Sequence, residues 1–448
     1  MAKTAFLGFG EVNTPAQLIM DKCAKAAADL EQAGMELIKV FPITDDPEEK
    51  DIKKALDALR GQEFDSLVVC IAGWIPSHAV VKICEQYRHK PMVLWGLCGW
   101  MEEGRLVTTA DQAGTSALRK TFRDLGYTFT YIYDIIGLPS RATKVADYCT
   151  AASAAQKLRS AKVGMAGYRD MQLYGTQADG PSLKRVTGVE IETFEMLELQ
   201  QRYEAVSPEE KQAVIDSEMD KWVFLKEAAQ ASKEMAAGYY LAAKKIIDER
   251  GYDAISLKDV DGMKKLCGFP PAPIFMLLSD VQKVSTIPEN DCLGNVTQLM
   301  VKYLTGQCGA YLEFYEFFTD RVLAGVPDYV PAEIIDGDVM VMPAAFGELN
   351  EGILNVSKVK TGQLTMCRLF MEDGKYCMHL VTGTGVTPGK WEEAGWTQPA
   401  PQLPGLEILL EDVESFTQNI MCQHYIISYG DNTAKIRNLC DILGIAVI

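Results

Sequence analysis

A chain of 448 residues is long enough for two to four domains, and 48% hydrophobic with 23% charged residues is ordinary for a globular protein with a sizeable core. A formal charge of −17 argues against nucleic acid and anionic membrane surfaces as partners, since both call for basic patches. No apolar run reaches the length of a membrane span and the N-terminus has no basic-then-apolar pattern, so a cytoplasmic protein is expected. The 12 cysteines are scattered, mostly within apolar runs and without a Cys-x-x-Cys pair, and read as reduced core thiols.

Residues 4–10, 35–41, 65–72, 91–96 and 128–133 are short apolar runs that read as strands. Residues 15–32, 47–60, 77–87 and 110–125 read as the helices between them. Strict alternation of strand and helix predicts a doubly wound parallel sheet over residues 1–141. Its Gly8-Phe9-Gly10 turn lacks the third glycine of a dinucleotide site, and a tight turn is the stronger reading. The stretch from Gly73 to His78 follows the third strand, on the edge where open α/β sheets bind ligands. There Trp74 can stack on a sugar face and His78 can bond a hydroxyl, or the stretch is a plain helix start capped by Ser77.

A second α/β unit is predicted over 142–329. It has a helix at 144–160, a strand at 162–167, a loop holding Arg169, a strand at 188–193, helices at 208–216 and 221–250, and a strand at 253–258. A short helix within 270–280 precedes the most informative stretch, Thr286 to Gly294. Asn290 or Asp291 can cap a helix there; Leu293, Val296, Met300, Tyr303 and Leu304 recur at helical spacing, and Gly306 stands at the C-terminal cap. Residues 310–314 read as the next strand, so Glu289 and Glu313 fall at neighbouring strand tips. Two carboxylates so placed are costly to hold together without a cation or a shared proton. Two solvated loop acids are the other reading.

After residue 329 the texture changes to short runs at 336–342, 353–359, 363–371 and 376–382, with Glu372-Asp373-Gly374 as a hairpin turn. This predicts an antiparallel β unit, a small barrel or sandwich, over 330–448, closed by a helix at 432–443. Trp391 and Trp396 lie in a Pro/Gly-rich loop that is either a lid or ordinary surface. His424 opens a strand running to Tyr429; a lone histidine on an apolar strand is commonly a satisfied core residue, and the two glutamates favour the alternative, a ligand. The expected fold is α/β: two doubly wound, Rossmann-like parallel-sheet domains followed by a C-terminal antiparallel β-barrel-like domain. Carboxylates with one imidazole favour Mn²⁺, Mg²⁺ or Co²⁺ over a thiolate zinc site.

Glu289-Asn290-Asp291 before a helix, a strand-end carboxylate at Glu313, and Gln423-His424-Tyr425 leading into Gly430-Asp431, in the order α/β, α/β, β, resemble the L-fucose and L-arabinose isomerase superfamily. The resemblance implies a metal-dependent aldose–ketose isomerase, an intramolecular oxidoreductase working through a cis-enediol. It implies a manganese site held by Glu289, Glu313 and His424, with the two glutamates also moving the proton. It further implies a homo-oligomer, hexamer or trimer, in which the Trp74–His78 loop reaches a neighbour's active site. Trp74, His78, Arg169, Lys258, Asp291 and Gln423 are the expected sugar contacts. Glu313 stands where the fucose-type pattern has Asp, and no histidine follows it where the arabinose type has another metal ligand; Val339 to Pro343 occupy that region. The sugar is of the L-fucose or L-arabinose type or a modified, sulfonated hexose such as sulfoquinovose. The competing reading is a non-catalytic intracellular sugar-binding protein.

Overall fold

The computed structural model describes residues 2–326, 329–345, 351–388 and 404–448, with side chains at all of these but 344 and 345. The chain forms two compact units, Met1–Gln156 with Arg437–Ile442, and Lys157–Ile436 with Leu443–Ile448. Trp391 and Trp396 lie outside the described residues.

The first unit alternates β1 (Lys3–Phe9), α1 (Ala16–Gln32), β2 (Glu36–Ile43), α2 (Lys50–Leu59), β3 (Ser66–Ile71), α3 (Ser77–Cys84) and β4 (Met92–Gly96). A small hairpin, β5 (Trp100–Glu102) and β6 (Arg105–Val107), then precedes α4 (Asp111–Asp124), β7 (Phe129–Tyr133) and α5 (Ala142–Ser160). The sheet runs β2-β1-β3-β4-β7, all parallel. Its inner strands β1, β3 and β4 are buried almost throughout because both faces are covered, whereas the edge strands β2 and β7 are partly exposed. Period two sends Leu67, Val69 and Ile71 into one core and Val68 and Cys70 into the other. Gly8 and Phe9, expected in a tight turn, are the end of β1 instead, and packing on α1 disfavours a side chain at either glycine: a Cβ at Gly8 would sit 2.4 Å from Cys23 Sγ, and one at Gly10 2.5 Å from Ile19 Cδ1.

The second unit holds β8 (Lys162–Ala166), α6 (Gly180–Thr187), β9 (Glu190–Phe194), α7 (Met196–Glu204), α8 (Pro208–Ser217), β10 (Val223–Phe224), α9 (Gln230–Arg250), β11 (Ala254–Leu257), α10 (Ala272–Asp280), β12 (Ser285–Ile287) and α11 (Cys292–Thr305). There follow β13 (Ala310–Phe317), β14 (Arg321–Gly325), β15 (Met340–Ala345), β16 (Glu351–Asn355), β17 (Gly362–Glu372), β18 (Lys375–Val386), β19 (Gly405–Leu409), α12 (Val413–Gln418), β20 (His424–Tyr429), α13 (Thr433–Leu443) and β21 (Ala446–Val447). Four strands make a parallel sheet in the order β12-β11-β8-β9. A larger sheet runs β17-β20-β13-β14-β19-β18-β21 and also pairs β17 with β18, so six of its strands close into a ring. Only the β18–β21 pairing in it is parallel.

Two sequence expectations need correction. The helix expected over 221–250 begins at Gln230: Val223 and Phe224 pair with Met340 and Val341 instead, and this tertiary pairing overrides local helix preference. The strand that carries Glu313 does not continue the parallel sheet. It is antiparallel to β20 and β14 in the closed sheet, alongside strands from the last third of the chain. The turn at Asp373 and Gly374 has φ of 49° and 74°, the left-handed pair that a two-residue hairpin requires.

His379, on β18, is 3% exposed; its Nδ1 shares a 2.6 Å hydrogen bond with the Tyr425 hydroxyl. Burial pushes its pKa down to about 4. An unfolded histidine titrates near 6.5, so between these values the unfolded chain binds the extra proton and stability falls as pH is lowered. The slope from this group reaches about 1.4 kcal/mol per pH unit. Denaturant unfolding at pH 7 and pH 4.5 is expected to show a smaller acid loss in His379→Phe than in the native chain. Equal losses would remove His379 as a cause.

Candidate functional site

The site is built where the parallel sheet of the second unit meets its closed antiparallel sheet. Glu289 stands one residue beyond β12 and Pro288, at φ +63°, and Asn290 follows at +51°. Consecutive left-handed non-glycine residues are costly and persist only when neighbours hold them. Here Asn290 N donates to Leu257 O at 3.0 Å, and its side-chain Nδ2 donates to Gly167 O at 3.0 Å and Tyr168 O at 2.5 Å. Asp291 then caps α11, accepting from Gly294 N at 2.9 Å.

Asp291 is fully buried and meets Arg368 of β17, also fully buried, in a two-pronged pair with Nη2–Oδ1 at 2.9 Å and Nη1–Oδ2 at 2.5 Å. Tyr311 of β13 donates its hydroxyl to Asp291 Oδ2 at 2.8 Å, and Arg368 Nη2 also donates to Gly175 O at 2.9 Å. Burial alone would raise the Asp291 carboxyl; the Arg368 charge, with the hydrogen bonds from Arg368, Gly294 and Tyr311, outweighs it and holds the carboxyl below the usual aspartate range. Burial pushes the Tyr311 phenol well up, and the Asp291 charge adds to this, so the phenol keeps its proton and donates.

Tyr311 carries the site outward. Its ring stacks on His424 at 4.1 Å between centroids, with the planes 8° apart. Register explains the convergence. On β13 Ala310 and Leu312 enter the closed sheet's core, so Tyr311 and Glu313 take the other face. Glu313 lies directly opposite His424 on β20, and Tyr311 is its diagonal neighbour. His424 Nε2 is 3.6 Å from Glu313 Oε2, and Nδ1 is 3.4 Å from Glu289 Oε2. Gln423 Nε2 donates to Glu289 Oε2 at 3.4 Å. The histidine side chain is 1% exposed, against 12% for Glu289 and 25% for Glu313. Burial pushes the His424 pKa down to about 3, with Asp291 opposing and Arg368 adding, so the imidazole is neutral across ordinary pH.

A neutral imidazole beside two part-exposed carboxylates suits a hard divalent cation by donor type and charge. The aim of the donors is less complete. The two ring nitrogens face different glutamates, and among the described residues no group of three His, Cys, Asp or Glu side chains has metal-holding geometry.

The structure therefore brings Glu289, Glu313, His424 and Gln423 together. Asp291, expected to touch sugar, is instead buried and saturated by Arg368, Tyr311 and Gly294, a role of helix cap and anchor. Arg169 and Lys258 stand just beyond β8 and β11, adjacent strands of the parallel sheet. Trp74, on the β3–α3 connection, and His78, in the first turn of α3, belong to the first unit and are both exposed. Sequence reasoning did not pick out Tyr311 or Arg368. Arg368 had a signal: it is the one charged residue within the apolar run from Leu364 to Met371.

No family model matches this chain, and no curated protein matches it. Among solved structures a similar chain is a periplasmic solute-binding protein of an ABC transporter from Actinobacillus succinogenes 130z, with bound D-allose. It is 14% identical over 68% of this chain and 93% of its own, with a TM-score of 0.17, and that likeness carries no argument here.

Removing one partner of a buried ion pair strands the other charge, at a cost of about 3–5 kcal/mol. Arg368→Met is expected to lower unfolding free energy by that order, and adding Asp291→Asn is expected to recover part of it. A single variant as stable as the native chain would contradict the anchoring role.

Proposed function

We propose that this protein is a metal-dependent aldose–ketose isomerase acting on a monosaccharide. The observation that carries the reading is the meeting of Glu289, from the β12–α11 connection, with Glu313 of β13 and the neutral His424 imidazole of β20. A carboxylate that reaches the substrate can move a proton between adjacent sugar carbons, and both glutamates reach solvent beside the buried histidine. Glu289, Glu313 and His424 would hold the cation, Mn²⁺ or else Mg²⁺ or Co²⁺, which when bound polarises the sugar's carbonyl and neighbouring hydroxyl.

The chain's own part is then a proton relay. One glutamate takes the proton from C2 of the open-chain aldose, and the C–H electron pair becomes the C1–C2 double bond of a cis-enediol. The carbonyl oxygen at C1 gains a proton in that step, and the C2 hydroxyl gives up its own in the next, as the C2 carbonyl forms. Return of the proton to C1 gives the ketose. Gln423, hydrogen-bonded to Glu289, orients that carboxylate. Asp291, Arg368 and Tyr311 hold the His424 ring in place. The domain plan in this reading is two doubly wound, Rossmann-like regions followed by a barrel-like one, in a cytoplasmic homo-oligomer where the Trp74–His78 loop serves a neighbouring copy's pocket.

Dialysis against a chelator is expected to abolish turnover and Mn²⁺ to restore it, assayed with a panel of aldoses and ketoses. In D₂O the ketose product is expected to carry deuterium on C1, because the transferred proton exchanges with solvent. Glu313→Gln keeps the shape and removes the base, so turnover should fall by roughly 10²–10⁴. Full activity without metal, or near-native turnover in Glu313→Gln, would sink the proposal. Sugar binding that survives chelation with no turnover of any sugar would point to the sugar-binding protein instead.

A further inference from the structure

A second group of polar side chains gathers a few residues from Glu289, at the tips of β8 and β9. They line a cavity of about 90 Å³ that includes Arg169, Thr176, Gln177 and Asn290. Whole small-molecule ligands fill pockets of roughly 300–1,000 Å³, so a space this size takes one substituent of a ligand.

Three features of its lining point to a ligand. Asn290 is only 5% exposed; both donated bonds leave from Nδ2, and Oδ1 has no hydrogen-bond partner among the described residues. A buried carbonyl oxygen left in that state costs about 1–3 kcal/mol. Arg169 is half-buried, and its guanidinium lies 4.5 Å from the centre of the Tyr174 ring, which orients it. Among the described residues no carboxylate lies within ion-pair distance of it, in a chain with 61 acidic and 44 basic residues. Gln177 accepts from the Tyr168 hydroxyl through Oε1 at 3.1 Å, and its amide NH₂ makes no hydrogen bond among the described residues.

Lys258 stands at the adjacent strand tip, next to the lining residue Gly167, and its charge also acts on Asp261. Its stem packs so closely on Gly167 that a Cβ there would be 3.2 Å from Lys258 Cβ. The lining thus offers fixed donors, positive charge and one unmet acceptor, beside a site whose acids repel anions. Planar guanidinium and amide donors are the groups that recognise the oxygens of a tetrahedral anion.

We propose that this cavity is a subsite for an oxoanion, sulfonate or phosphate, carried by the sugar at the end remote from its reacting carbons. Arg169 and the Gln177 amide donate to the anion's oxygens, Lys258 supplies further charge, and Asn290 Oδ1 accepts from a neighbouring sugar hydroxyl. This deepens the isomerase reading and rests on it for the position of the reacting carbons. It makes the substrate an anionic hexose.

The test is calorimetric titration of the full chain, in chelator, with glucose, glucose 6-phosphate and the 6-sulfonate of glucose. At least one anionic sugar is expected to bind ten times more tightly than glucose, and the better of the two identifies the anion. Arg169→Gln, confirmed folded by thermal melting, is expected to erase that preference. Arg119→Gln, which alters another ring-stacked arginine, in the first unit, is expected to keep it. Equal binding of glucose and both anions, no binding of any of the three at millimolar concentration, or the same preference in both variants overturns the proposal. Turnover is not read, so an absence of isomerase activity leaves an anion preference standing, and loss of that preference leaves the isomerase reading untouched.

Discussion

The ion pair between Asp291 and Arg368 is the contact on which the site's geometry depends. It joins the first turn of α11, and through it the tip of the parallel sheet, to β17 of the closed sheet. Tyr311 attaches to the same carboxylate and lays its ring against His424. A pair buried to this depth gains little net stability over apolar residues of the same volume, because desolvation offsets most of the attraction. What it supplies is direction. Two parallel N–H···O bonds fix the orientation of the carboxylate, the carboxylate fixes the phenol, and the phenol's ring fixes the imidazole plane. Glu289 is two residues from the pair in sequence and Glu313 is two residues from Tyr311, so both inherit their positions from it.

That arrangement was partly legible in the sequence. Asp291 as the helix cap, Gly306 as the helix end and the alternation in the first unit follow from local chemistry: side-chain capping, left-handed glycine and apolar period. Glu289 stood out because a carboxylate at a strand tip before a helix is a recognisable pattern. Glu313 was placed on the wrong scaffold. An apolar run of five residues does not declare whether its neighbours are parallel or antiparallel, and the pairing with His424 joins residues more than a hundred positions apart. The boundary expected at 329 likewise fell after two strands, β13 and β14, that pair within the closed sheet. Tyr311 and Arg368 were missed because each lies in a run that satisfies strand periodicity, and nothing local shows that both reach a single aspartate.

The electrostatics of the site follow from uneven burial. His424 is sealed and neutral, whereas both glutamates retain contact with solvent. A neutral imidazole is a donor or ligand, not a cation, and cannot compensate two carboxylates. Both carboxylates keep a face to water, which screens their charge. The neighbouring cavity carries the opposite sign, from the Arg169 guanidinium in its lining. Adjacent spaces of opposite charge orient a dipolar guest before any specific contact forms.

The closed ring of six strands has a consequence for how the molecule comes into being. Glu289, Glu313 and His424 are contributed by segments that meet only when β20 inserts between β13 and β17 and completes the ring. During synthesis the first two wait, with their neighbours, for a strand made more than a hundred residues later. Loop closure over such a span is entropically slow. No partial version of the centre can therefore precede the finished sheet, and any molecule that binds there reports on, and stabilises, the fully assembled fold.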